Sequence, residues 1–345
     1  MYLASYLKRI ICLSGLVILS LASVSASAYD KVIVFGDSLS DNGNLFNLTT
    51  DLHKVKSSFP IIPKTPPYFS GRFSNGPIWV EIVAQALNVP LIDYAYGGAW
   101  VEPYKDSGQL IPFSLASQVD YYMMASMTDM HKSDHLYVIW MGSNDYINGR
   151  KDPDAASTNT IAILQKQMEW LMYAGAKHFM ILNLPNLELL PGVIELGPEV
   201  VQEVTESARL HNEKLMTLLA AEQKTNPELT FQVADIQKKF LEVTSYPERY
   251  HVKNVTTACY NGEPFLNAQG MDANTLQVTN DAKMNLSGNL GLRTAVINSL
   301  LNSEVTVCQN PDEYLYWDRV HPTRVIHVAI AEFVLAAIQA LGASA

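Results

Sequence analysis

Three residues in this chain have the types needed for acyl transfer: a serine, a histidine and an aspartate. Ser38 follows a short apolar run near the beginning of the chain, whereas Asp318 and His321 lie close together near its end. A serine hydroxyl becomes nucleophilic when a histidine takes its proton, and a carboxylate must orient that histidine. The chemistry indicated is therefore attack of Ser38 on an ester carbonyl, with His321 as the base and Asp318 as its partner.

Acyl transfer also needs hydrogen-bond donors for the oxyanion of the tetrahedral intermediate. The candidates are the amide of Ser38, the amide of Gly98 and the side-chain amide of Asn144, which follow the first three predicted strands in turn. Taken singly, the glycine is typical of a flexible turn and Asn144 of a helix cap. Taken together, three successive strand ends carry the required groups in order, which favours an active site at this edge of the sheet.

The segments that must position these groups alternate between strand and helix patterns, which predicts an α/β fold with a parallel sheet covered on both faces. Short β-branched apolar runs predict strands at 31–35, 90–95, 135–141, 177–183 and 230–235. Amphipathic stretches predict helices at 77–87, 158–174, 199–225 and 323–341. Two long segments, 51–75 and 246–286, do not fit this alternation, and we expect them to be functional loops or disordered.

The first 28 residues are predicted to be a secretory signal peptide. Lys8 and Arg9 precede an apolar run and then a small-residue cleavage pattern at 26–28. A membrane anchor is the weaker alternative, because the apolar run is shorter than the ~20 residues that span a bilayer. We therefore expect one catalytic domain at 29–345, exported to the periplasm or to the outside of the cell.

The charge of the chain excludes several classes of partner. Its formal net charge is −10, so it lacks the cations that neutralise phosphates, and nucleic acid is excluded as a partner. An anionic membrane would not attract it, so only transient contact with a membrane surface is expected. The sequence has no P-loop and no dinucleotide-binding glycine motif, and we expect neither a cofactor nor a metal.

Two cysteines, Cys259 and Cys308, remain after the predicted signal peptide. An exported chain meets oxidising conditions, so a disulfide between them is the favoured interpretation, and two buried free thiols are the alternative. Such a bond would restrain the long segment 246–286.

Four blocks of the sequence resemble the GDSL or SGNH hydrolases. They are GDSL at 36–39, Gly98, GSND at 142–145 and DRVHP at 318–322. Asp93 departs from the pattern, since the glycine block often has asparagine there, and this puts a supporting hydrogen bond in question. The resemblance implies a three-layer α/β/α SGNH-hydrolase fold of the flavodoxin-like kind, with about five parallel strands and no cofactor.

Further stretches at 71–81, 137–142 and 314–323 resemble the branch of secreted bacterial phospholipases and glycerophospholipid–cholesterol acyltransferases. That branch implies a lysophospholipase A or phospholipase A acting on phospholipid or lysophospholipid, with acyl transfer to a sterol or other acceptor lipid as a further outcome. It also implies a disulfide-bounded loop near the C-terminus. Two alternatives stay open: an esterase for carbohydrate acetyl or small aryl esters, and a non-catalytic binding protein on a hydrolase scaffold.

Two other groups of side chains have a simpler interpretation than a functional one. His131 and His135 are spaced like half of a helical metal site, but the segment 131–135 leads into a predicted strand, so a solvated turn is expected. A group of four methionines is expected to pack within a helix rather than to line an acyl-chain groove. These are Met123, Met124, Met127 and Met130.

Overall fold

A computed structural model of the protein describes residues 28–57, 61–102, 114–147, 152–261 and 306–342. The predicted signal peptide, apart from its last residue, lies outside the described residues, and so does the part of the segment 246–286 beyond residue 261. Among the helices of the described ranges, none has the length and hydropathy needed to cross a membrane.

A parallel sheet of five strands forms the centre of the fold. The strands are β1 (Val32–Gly36), β2 (Leu91–Asp93), β3 (Leu136–Trp140), β4 (His178–Leu182) and β5 (Thr230–Ala234). Their spatial order is β2-β1-β3-β4-β5, and every neighbouring pair runs parallel. All five predicted strands are thus confirmed. Because the strands are parallel, the loops after them meet at one edge of the sheet, which is where the candidate residues were expected.

Helices cover both faces of this sheet. The α-helices of the described residues are α1 (Asn44–Val55), α2 (Trp79–Leu87), α3 (Leu115–Ala125), α4 (Ser143–Ile147), α5 (Pro153–Tyr173), α6 (Pro191–Ile194), α7 (Pro198–Thr225), α8 (Ile236–Ser245) and α9 (Arg324–Gly342). Side chains alternate across a strand, so Val32 and Val34 pack with α2, α8 and α9, whereas Ile33 and Phe35 pack with α3, α5 and α7. The three-layer α/β/α prediction is therefore confirmed.

Several helices begin elsewhere than predicted or were not predicted. α1 continues to Val55, inside the segment 51–75 that was predicted to lack regular structure. α5 begins earlier than predicted, because Asp152 caps its N-terminus and Pro153 occupies its first position. α8 was not predicted, although Asp235 caps it in the same way. A short polar cap ahead of a weakly periodic stretch thus accounts for the missed starts of α5 and α8.

A small second sheet lies beside the last candidate residues. It pairs β6 (Asn254–Ala258) with β7 (Tyr314–Tyr316). Cys259 follows β6 directly and forms a disulfide with Cys308, so the favoured interpretation of the two cysteines matches the structure. β7 leads straight into the turn that contains Asp318 and His321, so this small sheet positions that turn.

The predicted packing of the methionine group is wrong for three of its four members. α3 ends at Ala125, so Met127 and Met130 lie beyond the helix and are 77% and 86% exposed. Met124 is also exposed, whereas Met123 packs against the core. The chain leaves the helix before the third methionine, which is why a helical spacing does not describe the group.

The two histidines, His131 and His135, differ in burial. His131 lies exposed in a turn, as expected. His135 is fully buried, and its Nε2 lies 3.0 Å from Asp129 Oδ2. The solvated-turn interpretation is therefore right for His131 and wrong for His135, which lies immediately before β3 and packs beside the ring of Tyr137.

Candidate active site

Ser38, His321 and Asp318 form a continuous line of hydrogen bonds. Ser38 Oγ lies 2.7 Å from His321 Nε2, and His321 Nδ1 lies 2.7 and 2.9 Å from the two carboxylate oxygens of Asp318. All three side chains are buried, and Ser38 is the most exposed of them at 8%. The structure thus brings Ser38, near the beginning of the chain, into line with His321 and Asp318 near its end. This order allows a proton to pass from the serine to the histidine.

The turn that holds Asp318 is tied by its own backbone. The N–H groups of Val320 and His321 each donate to Asp318 Oδ1 at 2.8 Å, and the Trp317 N–H donates to the His321 carbonyl. Burial raises the pKa of Asp318, but the charge and hydrogen bond of His321, with the Tyr68 hydroxyl and the Val320 N–H, outweigh burial and hold that pKa below its usual range. An ionised Asp318 is what the pairing with His321 requires.

Ser38 lies in a tight turn directly after β1. The carbonyl of Asp37 accepts hydrogen bonds from the N–H groups of Ser40 and Asp41, both at 3.0 Å. No helix starts at once after the serine, since α1 begins only at Asn44. The turn, rather than a helix N-terminus, therefore presents the hydroxyl to His321.

Asp41 fastens this turn to the glycine block. Its two carboxylate oxygens accept four backbone N–H groups, three of them at the start of α1 and the fourth from Gly97 at 2.7 Å. Asp93, the departure from the family pattern, keeps a supporting role, because its oxygens accept the N–H groups of Asn42 and Ala95. Two carboxylates thus join the loops after β1 and β2.

Gly97 makes room for an aromatic ring against the candidate base. A Cβ on Gly97 would lie 2.4 Å from the ring of Phe73, which real Cβ atoms do not approach. The Phe73 ring in turn packs against the His321 ring, with centroids 5.0 Å apart. Gly98, the predicted oxyanion donor, follows directly with a φ of 81°, a left-handed conformation that favours glycine.

Asn144 lies at the first turn of α4, after β3, and is buried. Its side-chain amide donates to the Ala99 carbonyl at 2.9 Å and reaches Asp37 Oδ2 at 3.5 Å. The amide therefore lies beside both the glycine block and the residue that precedes Ser38. The three predicted oxyanion donors come from three loops that converge on the same edge of the sheet.

Four aspartates lie at this edge, three of them buried and Asp93 partly buried, and burial raises the pKa of each. The pKa rises to about 6 for Asp37 and Asp41, to about 8 for Asp145, and well above its usual value for Asp93. Backbone N–H groups are the main partners that oppose the effect of burial. These carboxylates hold loops in place, and Asp145 does so by accepting the N–H groups of residues 101 and 102.

Two residues that touch this site were missed in the sequence. Tyr68 donates its hydroxyl proton to Asp318 Oδ2 at 2.7 Å. Gln118, on α3, hydrogen-bonds both the N–H and the carbonyl of Gly36 at the end of β1. Gln118 occupies a helical position that shows no special pattern, and Tyr68 lies in a proline-rich segment, so neither carried a local signal.

Within the described residues, the group of side chains close enough to share a cation is Asp30, His131 and Asp134, and all three are exposed. They precede β1 and β3, at the opposite edge of the sheet from Ser38. The chemistry offered at the edge with Ser38 is that of an alcohol, an imidazole and a carboxylate.

Comparison with known proteins agrees with this chemistry. Residues 32–334 match the sequence model of the GDSL-like Lipase/Acylhydrolase family. The chain is 27% identical to a phosphatidylcholine-sterol acyltransferase of Aeromonas hydrophila, over 94% of this chain and 95% of the relative. It is 26% identical to a thermolabile hemolysin of Vibrio parahaemolyticus, over 91% of this chain but 65% of that protein.

A third relative shows how far family membership reaches. The chain is 25% identical to an Arabidopsis thaliana protein named an inactive GDSL esterase/lipase-like protein, over 89% of this chain and 71% of the relative. Catalysis by a given member therefore has to be argued from its own residues. The match to the family nevertheless spans β1 to α9. The chain belongs to the GDSL-like lipase/acylhydrolase family, the esterases and lipases that act on carboxylic esters.

Proposed function

We propose that this protein is an exported serine esterase that cleaves acyl esters of phospholipids or lysophospholipids through an acyl-enzyme on Ser38. The observation that carries the proposal is the buried line from Ser38 Oγ through His321 to Asp318. That line supplies a nucleophile, a base and an orienting carboxylate with each neighbour in hydrogen-bonding reach.

The proposed reaction has two halves. His321 Nε2 takes the proton of Ser38 Oγ as that oxygen attacks the ester carbonyl, and Asp318 stabilises the charged imidazole. The tetrahedral intermediate then expels the alcohol, which receives the proton from His321. In the second half, water or an acceptor alcohol gives its proton to His321 and attacks the acyl-enzyme, and Ser38 is regenerated.

The oxyanion of each intermediate would be held by the amides of Ser38 and Gly98 and by the side chain of Asn144. The left-handed backbone at Gly98 and the convergence of the loops after β1, β2 and β3 support this assignment. The Asn144 amide donates to the Ala99 carbonyl with one proton. An amide carries two protons, and the other one reaches Asp37 Oδ2 over a long 3.5 Å; it is the proton that we assign to the oxyanion when substrate is bound.

The choice of lipid as substrate rests on the relatives. The Aeromonas protein is named for acyl transfer from phosphatidylcholine to a sterol, and the Vibrio protein for hemolysis. Both names fit attack on membrane lipids, so lysophospholipase A or phospholipase A activity is the favoured assignment, with a sterol as a further acyl acceptor. Export is favoured by the predicted signal peptide and by the disulfide, because such bonds persist in oxidising compartments.

Neighbouring serines allow a sharp test of the nucleophile. Ser38→Ala should lower kcat by at least about 10⁴-fold, because the attacking oxygen is lost. Ser40→Ala is the matched control: Ser40 is buried two residues away, and its hydroxyl has no hydrogen-bond partner among the residues that the structure describes. It should keep its activity and its labelling by an organophosphate. A labelled Ser38→Ala protein, or an active one, would overturn the mechanism.

A series of esters separates the substrate classes. Lysophosphatidylcholine and p-nitrophenyl esters of increasing chain length should be cleaved faster as the chain grows, and lipid products formed with and without cholesterol report acyl transfer. A preference for acetyl over long acyl groups would replace the lipid assignment with a carbohydrate or small aryl esterase. Purified protein that neither turns over any ester nor reacts with an organophosphate would instead be a non-catalytic binding protein.

A further inference from the structure

The carboxylate of Asp318 has a partner outside the three-residue line. Tyr68 donates its hydroxyl proton to Asp318 Oδ2 at 2.7 Å, the same oxygen that lies 2.7 Å from His321 Nδ1. Tyr68 is 2% exposed, so this bond is formed away from bulk water. The other oxygen, Oδ1, is occupied by the N–H groups of Val320 and His321. The Tyr68 hydroxyl therefore completes the set of donors around the carboxylate.

The ring of Tyr68 is fixed by three aromatic neighbours. Its centroid lies 5.5 Å from the ring of Tyr260, 6.1 Å from Phe73 and 6.3 Å from Trp317, all edge-on. Phe73 also packs against His321. Because the ring is held on several sides, the hydroxyl can occupy one position without a further loss of side-chain freedom on catalysis.

The Tyr68 hydroxyl acts on the ionisation state of Asp318. Its hydrogen bond favours the ionised form of Asp318, as do the charge and hydrogen bond of His321, against the opposing effect of burial. Hydrogen bonds to charged groups are about twice as strong as those between neutral groups. Without the hydroxyl, Oδ2 would keep His321 Nδ1 as its only described side-chain donor, and the carboxylate could rotate away from the geometry that His321 needs.

We propose that Tyr68 is a positioning residue for the proposed reaction, which orients Asp318 and keeps it ionised through its hydroxyl group. This inference rests on the proposed function, because it concerns the same line of residues. It assigns a role to a residue of the segment 51–75, which lies far in the sequence from the block that holds Asp318 and His321.

Tyr68→Phe tests the inference, since it removes the hydroxyl and keeps the ring. Tyr260→Phe is the matched control: Tyr260 is 2% exposed in the same aromatic cluster, and its hydroxyl makes no described hydrogen bond to Asp318. Both variants are assayed for ester hydrolysis from pH 3.5 to 9. Their kcat values are divided by the fraction of sites that an organophosphate labels, so misfolded protein does not enter the comparison.

We expect kcat of Tyr68→Phe to fall about tenfold with KM within about twofold of the parent. Because Asp318 becomes harder to ionise, activity on the acid side should begin to fall at a higher pH. Tyr260→Phe should stay within about twofold in kcat and keep the parent pH profile. A purely structural role for Tyr68 would lower the melting temperature and the labelled fraction while leaving both normalised kcat and the pH profile unchanged.

Equal kcat values and equal pH profiles for the two variants would overturn the inference. That outcome is distinct from a failure of the proposed function, which would appear as residual activity in Ser38→Ala. If Ser38→Ala is inactive and Tyr68→Phe behaves like Tyr260→Phe, the serine mechanism stands and only the role of Tyr68 is withdrawn.

Discussion

The pKa values of aspartates are shifted in opposite directions at the two edges of the central sheet. At the edge where the strands end lie three buried aspartates, Asp37, Asp41 and Asp145, and the partly buried Asp93, and burial raises the pKa of each. At the edge where the strands begin, Asp129 accepts a hydrogen bond from Lys31 at 2.7 Å. That bond, with those from His131 and His135, holds the pKa of Asp129 below its usual range.

The difference lies in the partners available at each edge. The aspartates beside Ser38 are held mainly by backbone N–H groups, which fix position but carry no full charge. Asp129 faces a lysine at the rim of the sheet, where water still reaches both side chains. At the edge with Ser38, burial of the carboxylates is unfavourable, but their hydrogen bonds fix the geometry of the loops. At the opposite edge, Asp129 and Lys31 form an ion pair of the ordinary surface kind.

The largest difference between the edges should appear when one aspartate from each is removed. Asp41→Ala leaves four buried backbone N–H groups without an acceptor, in the loops after β1 and β2. We expect it to lower the free energy of unfolding by about 3 kcal/mol. Asp129→Ala should cost less, about 1–2 kcal/mol, because its partner Lys31 is partly solvated, although the variant also removes the acceptor beside the buried His135 Nε2. Urea denaturation followed by circular dichroism measures both.

Asp41→Asn is the control for the first variant, since it keeps an acceptor oxygen and removes the charge. It should fall between Asp41→Ala and the parent in stability. Equal losses for Asp41→Ala and Asp129→Ala would contradict the view that the edge beside Ser38 depends more on its buried carboxylates.

The framework around these carboxylates was predictable, whereas their contacts were not. The strand runs predicted the sheet and the convergence of the loops after β1, β2 and β3, because a parallel sheet gathers the ends of its strands. The pairing of Ser38 with His321 was predicted from the residue types and the ordered motifs alone. Tyr68 could not be predicted, since its bond to Asp318 joins two segments with no shared periodicity. His135 was misplaced for a similar reason: only the fold decides that a polar residue before a strand is buried.

The pH dependence of stability should also separate the two edges. Asp145 has a pKa of about 8 in the folded protein against an ordinary value of 3.8, so folding favours its protonated form. Its contribution is fully present below pH 4 and is lost as the pH rises to about 8. A single proton gives a slope of about 1.4 kcal/mol per pH unit. Asp145→Asn should flatten the fall in unfolding free energy between pH 6 and 8 by up to that slope.

Asp129→Asn is the counterpart from the other edge. The folded pKa of Asp129 is lowered, so its contribution is present above pH 4 and is lost as the pH falls below that value. The variant should therefore differ from the parent in slope only below about pH 4. Denaturation curves measured at each pH give the unfolding free energy of both proteins. A changed slope between pH 6 and 8 in Asp129→Asn would contradict the expected difference between the two edges.

The smallest effect is expected from His131→Gln, also at the edge where the strands begin. The His131 side chain is 72% exposed, and its ring nitrogen lies a long 3.4 Å from Asp134 Oδ2. An exposed pair of this kind adds little, so the free energy of unfolding should change by less than about 0.5 kcal/mol. Ester hydrolysis should be unaffected, since Ser38 lies at the other edge. Loss of activity at unchanged stability would mean that the two edges are coupled, and that the carboxylates beside Ser38 do not fix its geometry alone.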